Sequence, residues 1–470
     1  MARFAALCYA ITAVAIHTTA FQPPPSLHRQ PVIRTSCNIK QQSISSSRIK
    51  HHKSLLIRQC SSTHNHHNHN DLYQLEKKTW MFQDKYPIAY EVATTTNNNK
   101  EDVITVPILL LNGFGVGSFH QHRLMRQLLT QQQQQQQQPQ KRYVIYGIDY
   151  LGQGNSWPKD PQDGNSEDEY QLGYSADLWL QQLTGFVREV VLPSTTTDEE
   201  DSTTLNSNKV HLIGNSVGGY LATYLTYAHP NLISTLTLLN ATPVWGLNLP
   251  GWDGKLPAPT VPKVIGRQMF DLIRNEDIIR QYLEAAYVRS EAFDGTFVDG
   301  FDDWGNNRDA KGEPLGVKIR ACTEGNGGHA AFASILWSAP ASGVSFYEAL
   351  QQVPVDVLLL FGGDDPWCTE AVGKRMHVTL ASRRGNAGAA CRFVTLANVG
   401  HCPNHEAPTA VAQVLIPWLN ADGSGERRVV PLDSQSEIEE PWGDVKIREI
   451  SIEESESLGL IDRVVSSMVG

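Results

Sequence analysis

His211-Leu212-Ile213-Gly214-Asn215-Ser216-Val217-Gly218-Gly219-Tyr220 is an apolar run, then a tight turn carrying a serine, then the opening of a helix that continues through Leu221-Ala222-Thr223-Tyr224-Leu225. Within it, Gly214-Asn215-Ser216-Val217-Gly218 fits the G-x-S-x-G elbow. In that turn a serine sits at a strained strand-to-helix bend and its hydroxyl projects above the carboxyl ends of a parallel sheet. Gly214 and Gly218 fit because side chains there would collide with the adjoining strand and helix. The five-residue pattern also describes a serine in an ordinary βα turn, so the flanking strand and helix carry the weight. A nucleophilic Ser216 demands a base, an acid and oxyanion donors, in a set order along the chain.

Upstream, Val103 to Leu111 is nearly continuous in apolar residues, as expected of a strand buried on both faces. It ends in Asn112-Gly113-Phe114-Gly115-Val116-Gly117-Ser118-Phe119-His120, where glycines let an amide turn toward a ligand above the sheet. Phe114 N–H is the first oxyanion-donor candidate, and Val217 N–H, just after the serine, is the second. Read as structure alone, the stretch is a glycine-rich connector. As a phosphate cradle it fails, lacking the P-loop lysine and the G-x-G-x-x-G spacing. Tyr143 to Asp149 is the next buried strand, and Thr79-Trp80-Met81-Phe82 with Pro87 to Val92 alternate as an antiparallel pair at a sheet edge. Leu178 to Leu192 reads as the amphipathic helix before the serine strand. Polar insertions at Gln131 to Gln138, Pro158 to Glu169 and Pro193 to Asn208 lengthen surface connections, the glutamine run as a disordered insertion with no part in chemistry.

Downstream lie the strand Leu232 to Leu239 and the strand Val355 to Phe361, with a long interval between them. Residues 247–349 of that interval read as a cap over the carboxyl ends of the strands, where ligands bind in doubly wound sheets. Helical patterns run over about Pro262 to Ile273 and Glu276 to Arg289. Their apolar residues, Met269, Phe270, Ile273 and Tyr282, with Phe332, either line a greasy pocket or form the cap's own core. The strand after the cap ends in Gly362-Gly363-Asp364-Asp365-Pro366-Trp367, and the last strand, Cys391 to Leu396, ends in Ala397-Asn398-Val399-Gly400-His401-Cys402-Pro403. Ser216, Asp365 and His401 thus each follow a strand, in the chain order of the α/β-hydrolase triad. Asp364 is the rival acid, and His405 and His329 are rival bases. Pro408 to Leu419 is a closing helix, and residues 421–470 form an acidic, turn-rich tail, either disordered or a docking strap. The expected architecture is α/β: an α/β-hydrolase fold with a mostly parallel doubly wound sheet, its core in residues 71–246 and 350–420, and an inserted helical cap.

Charge and leader composition bound the setting. Residues 1–70 hold eight Lys or Arg and no acid, leaving 31 basic against 49 acidic residues in the rest of the 470-residue chain. That balance disfavours nucleic acid as a partner, since phosphates select basic patches. Met1 to Ala20 has the layout of a secretory signal, and residues 21–70, rich in Ser, Arg, Lys and His, have a transit-peptide composition. In that order they resemble a bipartite plastid presequence, with ordinary secretion as the rival reading. The tract Thr63 to Asn70 carries several histidines and reads as solvated low-complexity sequence rather than a metal site. Seven cysteines show neither zinc spacing nor a disulfide framework.

Together, Leu111 to His120, Ile148-Asp149-Tyr150-Leu151-Gly152-Gln153-Gly154, Gly214 to Tyr220, Leu239-Asn240-Ala241-Thr242-Pro243-Val244-Trp245-Gly246, Asp364 to Trp367 and Gly400 to Pro403 resemble the pheophytinases, plastid α/β-hydrolases of chlorophyll breakdown. The resemblance spans about Trp80 to Leu419. It departs at Asn112, at Val217 and in the longer, more polar piece from Glu291 to Lys318, which bear on the substrate more than on the reaction. It implies Ser216, His401 and Asp365 as the triad and hydrolysis of the phytyl ester of magnesium-free chlorophyll, without metal or organic cofactor. Asn112, Phe119, Trp245, Phe332 and Trp367 are the candidate substrate contacts. A stromal location follows, with pheophytin as ligand and the thylakoid surface or other chlorophyll-breakdown enzymes as further partners.

Overall fold

A computed structural model of the chain describes residues 73–96, 104–134, 141–158, 175–193, 209–243, 271, 274–296, 312–325, 343–383, 388–432 and 437–457. The expected presequence, the Pro262 to Ile273 helix apart from Asp271, Trp245, His329 and Phe332 lie outside them. Among the described residues the strands are β1 (Tyr73–Phe82), β2 (Tyr86–Thr95), β3 (Ile104–Leu111), β4 (Lys141–Ile148), β5 (Val210–Asn215), β6 (Ile233–Leu239), β7 (Asp356–Gly362), β8 (Cys391–Ala397), β9 (Glu437–Glu440) and β10 (Gly443–Ile450). They form one sheet in the order β1-β2-β4-β3-β5-β6-β7-β8-β10-β9. From β4 to β8 every neighbour is parallel, and the two strands at each end are antiparallel.

Helices cover both faces, which is why β5 and β7 are buried along their whole length. Helices His122–Gln134 and Pro408–Asn420 pack together on one face, in the cluster holding Leu124, Leu128, Val411 and Trp418. On the other face Ala176–Phe186, Val217–Ala228, Phe346–Gln351 and Glu370–Ala381 share a cluster around Trp179, Tyr220, Phe361 and Phe393. The chain runs outward one way from β3 to β4 and the other way from β5 to β6, so the switch of winding falls between β3 and β5. In such sheets the crevice at the switch is where ligands bind. Ser216 and the glycine-rich loop after β3 both stand there.

Three sequence expectations change. The glutamine run begins as ordered helix: Gln131 and Gln132 donate to the Thr409 and Lys141 carbonyls, and the helix ends at Gln134. Phe346–Gln351 starts inside the interval assigned to the cap yet belongs to the core, because Phe346 stacks on Tyr220 at 5.9 Å. Within the acidic stretch after Asn420, residues 437–450 are strands of the sheet. β10 pairs with β8 from Lys446↔Ala397 to Ile450↔Phe393, and β9 closes a hairpin beside it. Its reason is period-two burial: Val445 and Ile447 face the core while Lys446 and Arg448 face solvent.

Of the interval expected to form the cap, helices Glu276–Ala286 and Leu315–Ala321 are described, and their core of Ile279, Leu283, Tyr287, Phe293 and Leu315 also includes Trp442 from the β9–β10 turn. Among the described residues no helix is long and apolar enough to cross a membrane.

The hairpin also caps a helix. Pro408–Asn420 has Ala407 at its N-cap and no local side-chain acceptor. Glu440 supplies one from the hairpin, accepting Thr409 N–H at 2.7 Å, Ala410 N–H at 2.9 Å and Thr409 Oγ1–H at 2.8 Å. Burial nevertheless pushes its carboxyl up from 4.5 to about 7, the amides pulling it back. A carboxyl raised in the fold binds its proton more tightly folded than unfolded, so its burial cost is absent below pH 4.5 and complete above about 7. In Glu440→Gln that slope disappears. Between about pH 5 and about pH 8 the parent should lose more unfolding free energy than the variant, by on the order of 3 kcal/mol at most, in paired denaturant titrations.

Candidate active site

The site starts from a backbone strain. Ser216 has φ 53° and ψ −118°, a left-handed conformation that a serine adopts only when its surroundings impose it. A β-carbon on Gly214 would lie 2.3 Å from Gly218 O, and one on Gly218 would lie 2.4 Å from Leu111 O. Both contacts are with backbone, so only glycine lets strand and helix close around the bend. Ser216 N–H donates to Leu239 O, and Thr242 N–H returns a bond to Ser216 O. The bend is thereby tied to the end of β6.

His401 and Asp365 come to this bend from the ends of β8 and β7. His401 Nε2 is 2.9 Å from Ser216 Oγ, and its Nδ1 is 2.7 Å from Asp365 Oδ2. Asp365 is buried and also accepts Asn240 Nδ2–H at 2.8 Å and Trp367 N–H at 2.8 Å. Burial alone would raise this carboxyl; the His401 charge and hydrogen bond, with the Trp367 and Cys368 amides, outweigh it and hold Asp365 below its usual range. It is therefore ionised at neutral pH, fixing a proton on Nδ1 and leaving Nε2 to face the serine. The rivals are elsewhere. Asp364 is exposed and accepts Asn398 N–H, and His405 is buried against Tyr287, Nδ1 to Oη 3.2 Å.

The glycine-rich loop is the remaining wall. A β-carbon on Gly113 would sit 3.5 Å from Ser216 Cβ and 3.9 Å from Ser216 Oγ, so Gly113 stands beside the serine side chain. Val217 opens the following helix, and its N–H belongs to the first turn, whose amides find no acceptor within the helix. The loop is held by the segment after β4. Asp149 accepts Ser118 N–H at 2.6 Å, Gln153 Oε1 accepts Gly115 N–H at 2.7 Å, and Tyr150 Oη–H donates to Asn112 O at 2.9 Å. Asp149 is pushed up to about 6 by burial, against the Asn155 and Ser118 amides.

With this geometry in place, relatives are informative. Residues 108–414 match the alpha/beta hydrolase family. The chain belongs to that family. A curated relative, the chloroplastic pheophytinase of Arabidopsis thaliana, is 29% identical over 394 residues, 78% of this chain and 71% of that one. Among solved structures the chain is similar to an esterase from Exiguobacterium antarcticum (15% identity, 74% of this chain and 100% of that one, TM-score 0.47). It is also similar to a bacterial membrane phospholipase A (18% identity, 76% and 87%, TM-score 0.46).

As a member of this family, the chain has a hydrolase fold in which the other expected contacts fall differently. Trp367 stands edge-on to His401, ring centroids 4.9 Å apart, and Tyr282 of the cap lies 5.0 Å from Trp367. Phe119 is half-buried against the cap cluster, with the Lys318 ammonium 5.6 Å from its ring centroid. Asn112, expected as a substrate contact, is fully buried, and its Nδ2 donates to Gly113 O and Val116 O, clamping the loop from within. Asp365, Cys368 and His401 place ligand-type atoms within 4.8 Å of one another. Both His401 nitrogens are engaged, and burial pushes the Cys368 thiol well above its ordinary value, so the set suits proton transfer better than a metal.

Sequence reading missed two asparagines. Asn215 Nδ2 donates to Leu239 O at 3.1 Å and His401 O at 3.0 Å, tying the elbow to the histidine loop. Asn240, at φ 41°, exchanges bonds with Gly362 and donates to Asp365. Its only sequence signal is position, directly after a strand next to the serine strand. Asn240→Gly keeps the backbone conformation and removes those bonds. It should lower hydrolytic turnover roughly tenfold and stability by about 2 kcal/mol; unchanged turnover would deny Asn240 any hold on the acid.

Proposed function

We propose that this hydrolase is a serine carboxylic-ester hydrolase that removes phytol from pheophytin, giving pheophorbide, inside the plastid. The observation that carries the reaction is the unbroken hydrogen-bonded series from Ser216 Oγ through His401 to Asp365, at the switch of a doubly wound sheet. The substrate is supported by the named relative and by the Trp367 ring beside the histidine, with Tyr282 packed against that ring, which suit a large apolar pigment better than a small polar ester.

The reaction divides in two. Ser216 Oγ attacks the ester carbonyl while His401 Nε2 takes its proton and Asp365 stabilises the imidazolium. The Phe114 and Val217 amides receive the oxyanion, each donor being worth ~3 kcal/mol in such sites. His401 then protonates the leaving phytol oxygen, which leaves an acyl-serine. Water, deprotonated by the same imidazole, attacks that ester and releases pheophorbide.

Incubation with pheophytin and with chlorophyll, followed by chromatographic separation of the pigments, tests both parts. Pheophorbide should form from pheophytin with the parent chain, and Ser216→Ala should lose on the order of 10⁴-fold or more in turnover. Comparable turnover by Ser216→Ala removes the serine reading. Cleavage of an aryl ester but of neither pigment leaves the esterase and removes the pigment.

A further inference from the structure

Glu406 sits in the short helix Pro403–Glu406 that follows His401, and its side chain is buried. One carboxylate oxygen, Oε2, accepts Gly400 N–H at 2.7 Å, one residue before His401. The other, Oε1, accepts Val288 N–H at 2.7 Å and Arg289 N–H at 2.9 Å, where the chain leaves the cap helix Glu276–Ala286. His401 N–H completes this seam by donating to Ala286 O at 2.7 Å. The C-terminal hairpin closes it from outside: Trp442 Nε1–H donates to Glu406 O at 2.6 Å, and the Arg289 guanidinium donates to Trp442 O.

We propose that Glu406 is a positioning residue through which the base of the cap and the C-terminal hairpin set the His401 ring between Ser216 and Asp365. This rests on the reading of His401 as the general base. Three backbone donors converge on two oxygens, a demand that only a carboxylate meets in full. A glutamine offers one oxygen and one NH₂ group. Whichever way it turns, an NH₂ faces an N–H, and either the Gly400 bond or the Val288–Arg289 pair is lost. Losing the first frees the peptide that carries His401, and losing the second frees the cap from it. Displacement of the ring by a fraction of an ångström costs more in rate than in folding, because proton transfer depends steeply on alignment.

The position of Glu440 makes it a matched control. It is a second buried glutamate holding three donors, but it grips the helix Pro408–Asn420 rather than the histidine loop. The full chain, Glu406→Gln, Glu440→Gln and Trp442→Phe are compared on 4-nitrophenyl butyrate, with reactive serine counted by a fluorophosphonate probe and folding followed by circular dichroism. The far-downfield proton NMR resonance of the His401 Nδ1–H···Asp365 bond is recorded for each. Glu406→Gln should lose about tenfold or more in kcat per folded molecule, with KM within about twofold, and its downfield resonance should shift or vanish. Glu440→Gln should keep kcat and the resonance. Trp442→Phe, which keeps an aromatic ring and loses the N–H, should change in the same direction as Glu406→Gln by a smaller factor; it decides the matter if Glu406→Gln does not fold. A folded Glu406→Gln, or failing that Trp442→Phe, with parental kcat and an unmoved resonance overturns the proposal. A parent chain that the probe does not label fails the serine reading instead, and the resonance still reports whether Glu406 holds the ring.

Discussion

The left-handed bend at Ser216 is the constraint on which the rest depends. A serine at φ 53° relaxes unless its neighbours leave no alternative. Here the alternatives are removed on both sides, by the backbone approach of Gly214 to Gly218 and of Gly218 to Leu111, and by the bonds to Leu239 and Thr242 at the end of β6. The sheet order makes this possible. With β5 between β3 and β6, the bend is flanked by one strand that brings the glycine-rich loop and another that brings Asn240. Strain at one residue is thus set by three adjacent strand ends, and it is offset by the burial of the strands themselves.

Buried acids fall into two kinds. Asp149, Asp365, Glu406 and Glu440 each accept backbone amides from a loop or helix start. Three of them are raised by burial, Asp149 to about 6 and both glutamates to about 7. Asp365 is lowered against its burial because it faces His401, and buried Glu91, beside His122, is lowered in the same way. The difference separates acids that only hold backbone from those that face a histidine. A carboxylate held only by amides bears the full desolvation of its charge, whereas a cationic partner returns more than that cost.

The parallel strands were legible because burial on both faces leaves an uninterrupted apolar run, as at Ile108 to Leu111 and Val357 to Phe361. Ser216, Asp365 and His401 were legible for a related reason: each follows such a strand, and chain order restricts which acid and which histidine can meet the serine. What was hidden lies where one polar residue acts on a backbone far away. Asn112 reads as a pocket residue from its place in the loop, and its Nδ2 is committed to Gly113 and Val116 within that loop. Glu406 and Glu440 reach amides more than a hundred residues upstream and about thirty upstream respectively, at no fixed spacing.

The C-terminal hairpin shows how composition can mask a pattern. Asp444-Val445-Lys446-Ile447-Arg448 alternates as a half-buried strand should, but the charged residues around it dominate the acidic average of the segment. Its placement beside β8 has a consequence beyond covering an edge. β8 delivers His401, so a strand paired to β8 restrains the loop that carries the histidine, while Trp442 at the hairpin turn reaches the cap cluster. The sheet edge, the cap and the histidine loop are therefore one packed unit. Within the hairpin the contact with this unit is made by Trp442, whereas Glu440 grips the helix Pro408–Asn420.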